Sequence, residues 1–187
     1  MNIKEVKSTL RKQCLALLKA QPAHERHIKS ELITNTLLEL DALKRISVIM
    51  TYVSDNYEVE THSLIRTLLG KGKKIVIPYL DEMKNIIPCQ INDLDRDTEL
   101  SWYGYLEPKQ DCRQKPFKKE DVELILVPGL AFDKKGHRLG RGWGCYDRFL
   151  ASLRPNVQTF GLAFDFQICP TIPTEANDVI VSRVLSN

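Results

Sequence analysis

The sequence lacks the features that mark several large classes of protein. It has no apolar run near the roughly 18 residues that a membrane span needs, so no membrane association is expected. The charged start "MNIKEVKSTLRKQ" is unlike a secretion signal. The five cysteines are odd in number and contain no C-x-x-C pair, which disfavours a disulfide framework or a zinc site. Reduced thiols therefore predict a cytoplasmic location.

The charge balance is also unremarkable for a soluble protein. A net charge of +3 with 27% charged residues permits anion binding, but it falls short of the basic surface of a dedicated nucleic-acid protein. With 187 residues and 43% hydrophobic content, the chain is long enough for one core and short for two. We therefore expect a single domain over residues 1–187 that binds neither nucleic acid nor membranes and stays a monomer.

Apolar periodicity predicts an α/β fold with a largely parallel or mixed central sheet, flanked by helices. An amphipathic helix over 3–20 and a second one that follows Pro22 and reaches Leu40 form an N-terminal helical pair. Further helices are predicted over about 61–69 and from Tyr146 onward. Runs rich in branched residues predict buried strands at 46–53, 73–78 (ended by Pro78), 123–132, 157–164 and 178–185, with weaker strand signals near Ile86–Ile91 and at 103–106.

The segment "GHRLGRGWGCYDRFL", residues 136–150, holds four of the nine glycines. It follows a predicted buried strand and precedes a helix, which is where open α/β sheets bind ligands. Small residues allow main-chain N–H groups to turn inward around an anion, and Arg138, Arg141 and Arg148 add donors suited to phosphate. The pattern favours a phosphate-binding loop, and an irregular surface loop with glycines at its turns is the alternative.

Common phosphate-binding motifs do not account for this segment. The Walker ending Gly-Lys-Ser/Thr and the dinucleotide fingerprint G-x-G-x-x-G are both absent. Asp147 could hold magnesium against bound phosphates, or it could simply stabilise the first turn of a helix. Lys7 and Arg11 lie on one stripe of the first helix, and their spacing alone favours a solvated cationic flank.

At these residues the chain resembles the 5-formyltetrahydrofolate cyclo-ligases, also called 5,10-methenyltetrahydrofolate synthetases. "LVPGLAFDKKGHRLGRGWGCYDRFL" is similar to the signature of that family. Five further motifs match in order along the chain: "KSTLR", "YVSDNYEVET", "KKIVIP", "WYGYLEP" and "GLAFDFQICPTIPTEANDV". The resemblance covers most of the chain, and several ordered motifs make it specific.

The resemblance implies an enzyme that uses ATP and Mg2+ to convert 5-formyltetrahydrofolate, a reduced folate, into 5,10-methenyltetrahydrofolate. It assigns catalysis to Arg141 and Arg148, and metal binding to Asp147 and Asp178. It assigns ATP to Lys7, Arg11, Arg138, Leu139, Gly140, Arg141, Gly142, Trp143, Gly144, Cys145 and Tyr146. It assigns the folate to Val53, Glu58, Arg141, Gly142, Trp143, Gly144 and Cys145, with Glu58 on the amino edge of the pterin.

The chain departs from the family pattern at Cys145, where an aromatic residue is usual. A thiol cannot stack on folate, so this position keeps open a folate-binding protein of the same fold with little turnover. A small module that binds RNA or nucleotides through its cationic residues is the third alternative. The modest net charge and the lack of interleaved surface aromatics disfavour that module.

Overall fold

The structure is a computed structural model, and it describes residues 2–102 and 104–187. Its helices are α1 Ile3–Ala20, α2 Ala23–Glu39, α3 Asp41–Arg45, α4 His62–Gly70, α5 Leu94–Asp97, α6 Gln110–Arg113 and α7 Cys145–Ala151. Its strands are β1 Val48–Thr51, β2 Lys74–Leu80, β3 Ile86–Ile91, β4 Thr98–Leu100, β5 Leu106–Pro108, β6 Leu124–Val127, β7 Ala131–Asp133, β8 Arg138–Leu139, β9 Gln158–Ala163, β10 Ile168–Cys169 and β11 Arg183–Ser186.

A six-stranded sheet with the order β11-β9-β6-β1-β2-β3 forms the centre of the fold. The first five strands in that order run parallel, and β3 pairs with β2 in the antiparallel sense. The predicted fold class is therefore confirmed, and the helix predicted over about 61–69 lies between β1 and β2 as α4. The strand order changes direction between β1 and β6, and such a switch point leaves a crevice beyond the carboxyl ends of the two strands.

Alternate residues of the central strands bury their side chains on opposite faces of the sheet. On β1, Ile49 joins the core beneath α1, α2 and α4, whereas Val48 and Met50 join the core on the face that α7 covers. Burial on both faces explains why these strands are continuous apolar runs. The N-terminal helical pair is confirmed, and α1 begins with a capping box between Asn2 and Glu5.

In the last predicted run, 178–185, the strand begins only at Arg183, and two further predicted strand boundaries are also wrong. The run 123–132 breaks at Pro128 and Gly129, so β6 stays in the main sheet while β7 forms a small sheet with β8 and β10. The second error is at Pro78, where β2 continues to Leu80. Because β1 pairs with β2 only as far as Val76, the rest of β2 has one neighbour, where a proline is tolerated.

The predicted strand signal at 103–106 falls partly on Tyr103, which lies outside the described residues. None of the helices in the described ranges combines the length and apolar character that crossing a membrane requires.

Candidate active site

The crevice between β1 and β6 collects the chain segments that follow these two strands. Residues 52–61 leave the carboxyl end of β1, and the chain beyond β6 returns through β7 and β8 to the glycine segment, residues 140–144, at the start of α7. Because β1 and β6 are adjacent and parallel, both segments meet at the same edge of the sheet. The topology thus places the predicted folate residues next to the predicted phosphate loop.

The glycine segment has a backbone that needs glycine. Gly142 has φ +106° and Gly144, the residue before α7, has φ +65°. A side chain at Gly144 would lie 3.3 Å from Nη1 of Arg148, and one at Gly142 would lie 3.4 Å from Cζ of Arg11. The loop therefore combines left-handed backbone with close approach of two guanidinium groups, which is the arrangement expected of an anion-binding turn.

Helix α1 reaches the glycine segment through its cationic stripe. Nε of Arg11 donates to the Gly140 carbonyl at 2.9 Å. One turn earlier, Nζ of Lys7 lies 2.9 Å from Oε2 of Glu175 and 2.5 Å from Oδ2 of Asp178. The solvated flank that spacing alone favoured is therefore wrong for Lys7, which is 4% exposed. Burial disfavours the ammonium ion, but the two carboxylates prevail and raise the pKa of Lys7.

Arg138 is also buried, and it contacts the predicted metal ligand. Its Nη2 lies 2.9 Å from Oδ1 of Asp147, and its guanidinium lies 5.6 Å from the centre of the Tyr146 ring. Its Nε is buried and has no hydrogen-bond partner among the described residues. Arg138 also helps to lower the pKa of Asp178, together with the stronger hydrogen bond from Lys7, against the opposing effect of burial. The backbone N–H of Val179 donates to Oδ1 of Asp147 at 3.4 Å, so Asp147 lies next to the residue that follows Asp178.

The donor set around Arg138 fits magnesium. Mg2+ in phosphate-binding sites takes one or two carboxylates and fills its other positions with phosphate oxygens and water. Asp147 and Asp178 are both partly exposed and supply two such oxygen donors. Within the described residues no cluster of three or more His, Cys, Asp or Glu side chains could form a metal cage of protein ligands alone. A metal at this place would therefore depend on phosphate oxygens as further ligands.

Arg141 lies across the crevice, between the glycine segment and two carboxylates that follow β1. Its Nη2 donates to Oδ2 of Asp55 and lies 3.4 Å from Oε1 of Glu58. Asp55 also accepts the backbone N–H groups of Tyr57 at 2.8 Å and Glu58 at 3.0 Å, so it shapes the turn that presents Glu58. Arg141 is therefore the residue that joins the two halves of the predicted site.

Glu58 has a strongly perturbed ionisation. Burial is the main cause and the negative charge of Asp55 adds to it, so the pKa of Glu58 rises to about 7 despite the opposing charge of Arg141. A carboxyl group with this pKa is about half ionised at neutral pH. Perturbed carboxyl groups in a crevice are typical of functional sites.

The remaining predicted residues form the rim and walls of the crevice. Arg148 donates from Nη1 to the Trp143 carbonyl at 2.8 Å, which stiffens the turn into α7. Trp143 is 60% exposed, whereas Leu139 is fully buried and offers the site only its backbone. Half-buried residues complete the walls: Val53, Cys145 and Tyr146.

Sequence reasoning missed three residues of this neighbourhood: Asp55, Glu175 and Lys84. Asp55 stands in "SDNY", a turn-forming stretch directly after a strand, so turn chemistry could have indicated it. Glu175 precedes Asp178 by three residues and donates its backbone N–H to the Asp178 carboxylate at 2.7 Å. No local pattern distinguishes Lys84 from the other lysines.

Fold and site together define an α/β protein with a crevice at the switch point of its sheet that is lined by cationic side chains. A model of the 5-formyltetrahydrofolate cyclo-ligase family matches residues 3–187, and the chain belongs to this family.

Individual relatives agree with that assignment. The mouse protein named 5-formyltetrahydrofolate cyclo-ligase is 31% identical over 193 residues, which cover 99% of this chain and 95% of the mouse protein. The Haemophilus influenzae protein of the same name is 30% identical over 165 residues, covering 87% of this chain and 88% of that protein. An Aquifex aeolicus structure titled 5,10-methenyltetrahydrofolate synthetase is 29% identical and superposes with a TM-score of 0.84, covering 96% of this chain and 89% of its own.

Proposed function

We propose that the protein is a 5-formyltetrahydrofolate cyclo-ligase that uses ATP and Mg2+ to make 5,10-methenyltetrahydrofolate, ADP and phosphate. The observation that supports it most directly is the position of Arg141, which contacts the predicted pterin acceptor Glu58 from within the glycine segment. A single guanidinium group can therefore lie beside both a folate and a phosphate chain. Family membership supplies the substrate class.

The reaction has to turn a poor leaving group into a good one. The formyl oxygen of the folate attacks the γ-phosphorus of ATP, ADP leaves, and an iminium phosphate forms. N10 of the folate then attacks the formyl carbon, phosphate departs with the former formyl oxygen, N10 loses its proton and the five-membered ring closes. The protein mainly has to align the two substrates and neutralise the transferred charge.

The chain's own residues can meet these demands. In this proposal Arg141 and Arg148 stabilise the phosphoryl group, Glu58 accepts hydrogen bonds from the pterin, and Trp143 offers a face for stacking. Bound Mg2+ would be held by Asp147 and Asp178 and would neutralise charge on the phosphate oxygens.

Phosphate binding requires an exchange of partners in the crevice. Lys7 contacts Asp178 and Glu175, and Arg141 contacts Asp55 and Glu58, so these cations are balanced by carboxylates of the chain itself. A nucleotide must replace part of these contacts with its own oxygens. The affinity for nucleotide then depends on the free energy of the ion pairs formed with phosphate minus that of the ion pairs broken within the chain. Removing any of these carboxylates should therefore change the affinity.

The proposal is tested by following methenyltetrahydrofolate absorbance in the near ultraviolet with purified protein, 5-formyltetrahydrofolate, ATP and Mg2+. We expect turnover that stops when either ATP or Mg2+ is omitted. Arg141→Ala should lower turnover by on the order of a hundredfold. The control Arg45→Ala removes an exposed arginine of α3, at the other end of β1, and should leave the rate unchanged. Folate binding without turnover would instead indicate a folate-binding protein, and retention on RNA without folate binding would refute the proposal.

We also propose a cytoplasmic monomer. The structure describes all five cysteines and each is a free thiol, as expected in a reducing compartment. Light scattering of the purified protein should give the mass of one chain.

A further inference from the structure

Lys84 has a backbone conformation that is costly for a lysine. It lies in the turn between β2 and β3 with φ +62°, the one positive φ that a residue other than glycine adopts among the described residues. Glycine and asparagine enter this left-handed region far more readily than lysine. A lysine held there by its surroundings suggests that its side chain has a task that glycine and asparagine could not perform.

The surroundings of Lys84 belong to the glycine segment. Its carbonyl accepts a hydrogen bond from Nη2 of Arg148 at 2.8 Å, and Nη1 of the same guanidinium donates to the Trp143 carbonyl at 2.8 Å. Arg148 therefore ties the β2–β3 turn to the phosphate loop through two main-chain acceptors. Arg148, to which the proposal assigns a catalytic role, therefore helps to hold the backbone of Lys84 in its strained conformation.

The side chain of Lys84 lies over the same loop. Its Nζ is 4.9 Å from the centre of the Trp143 ring. An ammonium group above an aromatic face is held by the negative charge of that face, and an ammonium group carries three N–H donors. Arg11 contacts the loop at Gly140, so the two cations approach opposite ends of the glycine segment.

We propose that Lys84 is a further nucleotide-binding residue, whose ammonium group contacts the triphosphate of ATP while Trp143 supports it from below. The inference rests on the proposed function, because it needs ATP in the glycine segment. The lysine ammonium is a compact charge on a flexible side chain. It can therefore keep its contact with the triphosphate while Lys7 and Arg141 exchange their carboxylates for phosphate oxygens.

Three substitutions separate the charge of Lys84 from its backbone. Lys84→Asn and Lys84→Gly keep a residue that suits positive φ and remove the cation, whereas Lys84→Arg keeps the cation. The first two should melt within about 2 °C of the wild type or above it, because they relieve strain. The control Lys44→Asn removes an exposed lysine of α3 that pairs with Asp41.

We expect Lys84→Asn to raise the KM for ATP about tenfold, the effect of one charge-assisted contact, with a smaller change in kcat. The KM for 5-formyltetrahydrofolate and the affinity for adenosine should not change. Lys84→Arg should stay within about threefold of the wild type, and Lys44→Asn should match it.

Several results would overturn the inference. An active Lys84→Asn protein with the wild-type KM for ATP would refute it alone, as would a change confined to the KM for the folate. Equal losses of affinity for ATP and adenosine would show that Lys84 only packs against Trp143. A wild-type protein without ATP-dependent turnover would refute the proposed function first, and the inference with it.

Discussion

The ionisation of Glu58 predicts how folate binding responds to pH. In the proposed complex Glu58 accepts hydrogen bonds from the pterin, so the binding form is the carboxylate. With a pKa of about 7, roughly nine tenths of the sites are ionised at pH 8 and roughly one tenth at pH 6. The dissociation constant for 5-formyltetrahydrofolate should therefore rise about tenfold between pH 8 and pH 6.

Asp55→Asn is the informative perturbation. It removes the like charge that helps to raise the pKa of Glu58, and it leaves Arg141 to pair with Glu58 alone. Both effects lower the pKa of Glu58, although burial still opposes them. If the pKa falls by about one unit, equivalent to about 1.4 kcal/mol, the same pH change should weaken binding only about twofold.

Calorimetric titration of 5-formyltetrahydrofolate without nucleotide, at pH 6, 7 and 8 and constant ionic strength, measures this directly. Glu58→Gln is the control, because a neutral amide cannot titrate and its weaker binding should be independent of pH. Equal affinity of the wild type at pH 6 and pH 8 would refute the reasoning. A pH dependence that persists in Glu58→Gln would assign the titration to another group.

Three further predictions concern the metal, the core and the altered aromatic position. Asp147→Ala removes a proposed Mg2+ ligand and the carboxylate partner of Arg138, so turnover should fall by on the order of a hundredfold; a Mg2+ titration that matches the wild type would contradict this. Gly161→Ala places a methyl group 2.4 Å from the buried Phe132 ring and should cost about 1–3 kcal/mol, seen as a lower Tm; an unchanged Tm would show that the ring can move. Cys145→Tyr restores a stacking surface and should preserve turnover while lowering the KM for the folate; a folded but inactive variant would show that the thiol is needed.

The sheet and the phosphate loop could be predicted from the sequence because their signals are local. Continuous apolar runs such as 46–53 indicate strands buried on both faces, and a glycine-rich segment before a helix indicates a turn with inward N–H groups. Boundaries were less predictable. After Glu123 the run 123–132 has no polar side chain, and only the conformational limits of Pro128 and Gly129 divide it between two sheets.

Contacts between distant segments could not be predicted from periodicity. The spacing of Lys7 and Arg11 describes a cationic stripe equally well on a solvated helix and on one that enters a site. The deciding fact is that Asp178 lies 171 residues further along the chain, beside Lys7. The pairing of Arg141 with Asp55 is of the same kind, because β1 and β6 are neighbours in the sheet but far apart in sequence.

The ion pair between Lys7 and Asp178 also has a consequence for the order of folding. It joins the second turn of α1 to a segment that lies 171 residues further along the sequence. Closing so long a loop costs more conformational entropy than forming the short-range contacts among β1, α4 and β2. We therefore expect the crevice to be completed after most of the sheet, with the charge of Lys7 balanced only when the segment that carries Asp178 packs against α1.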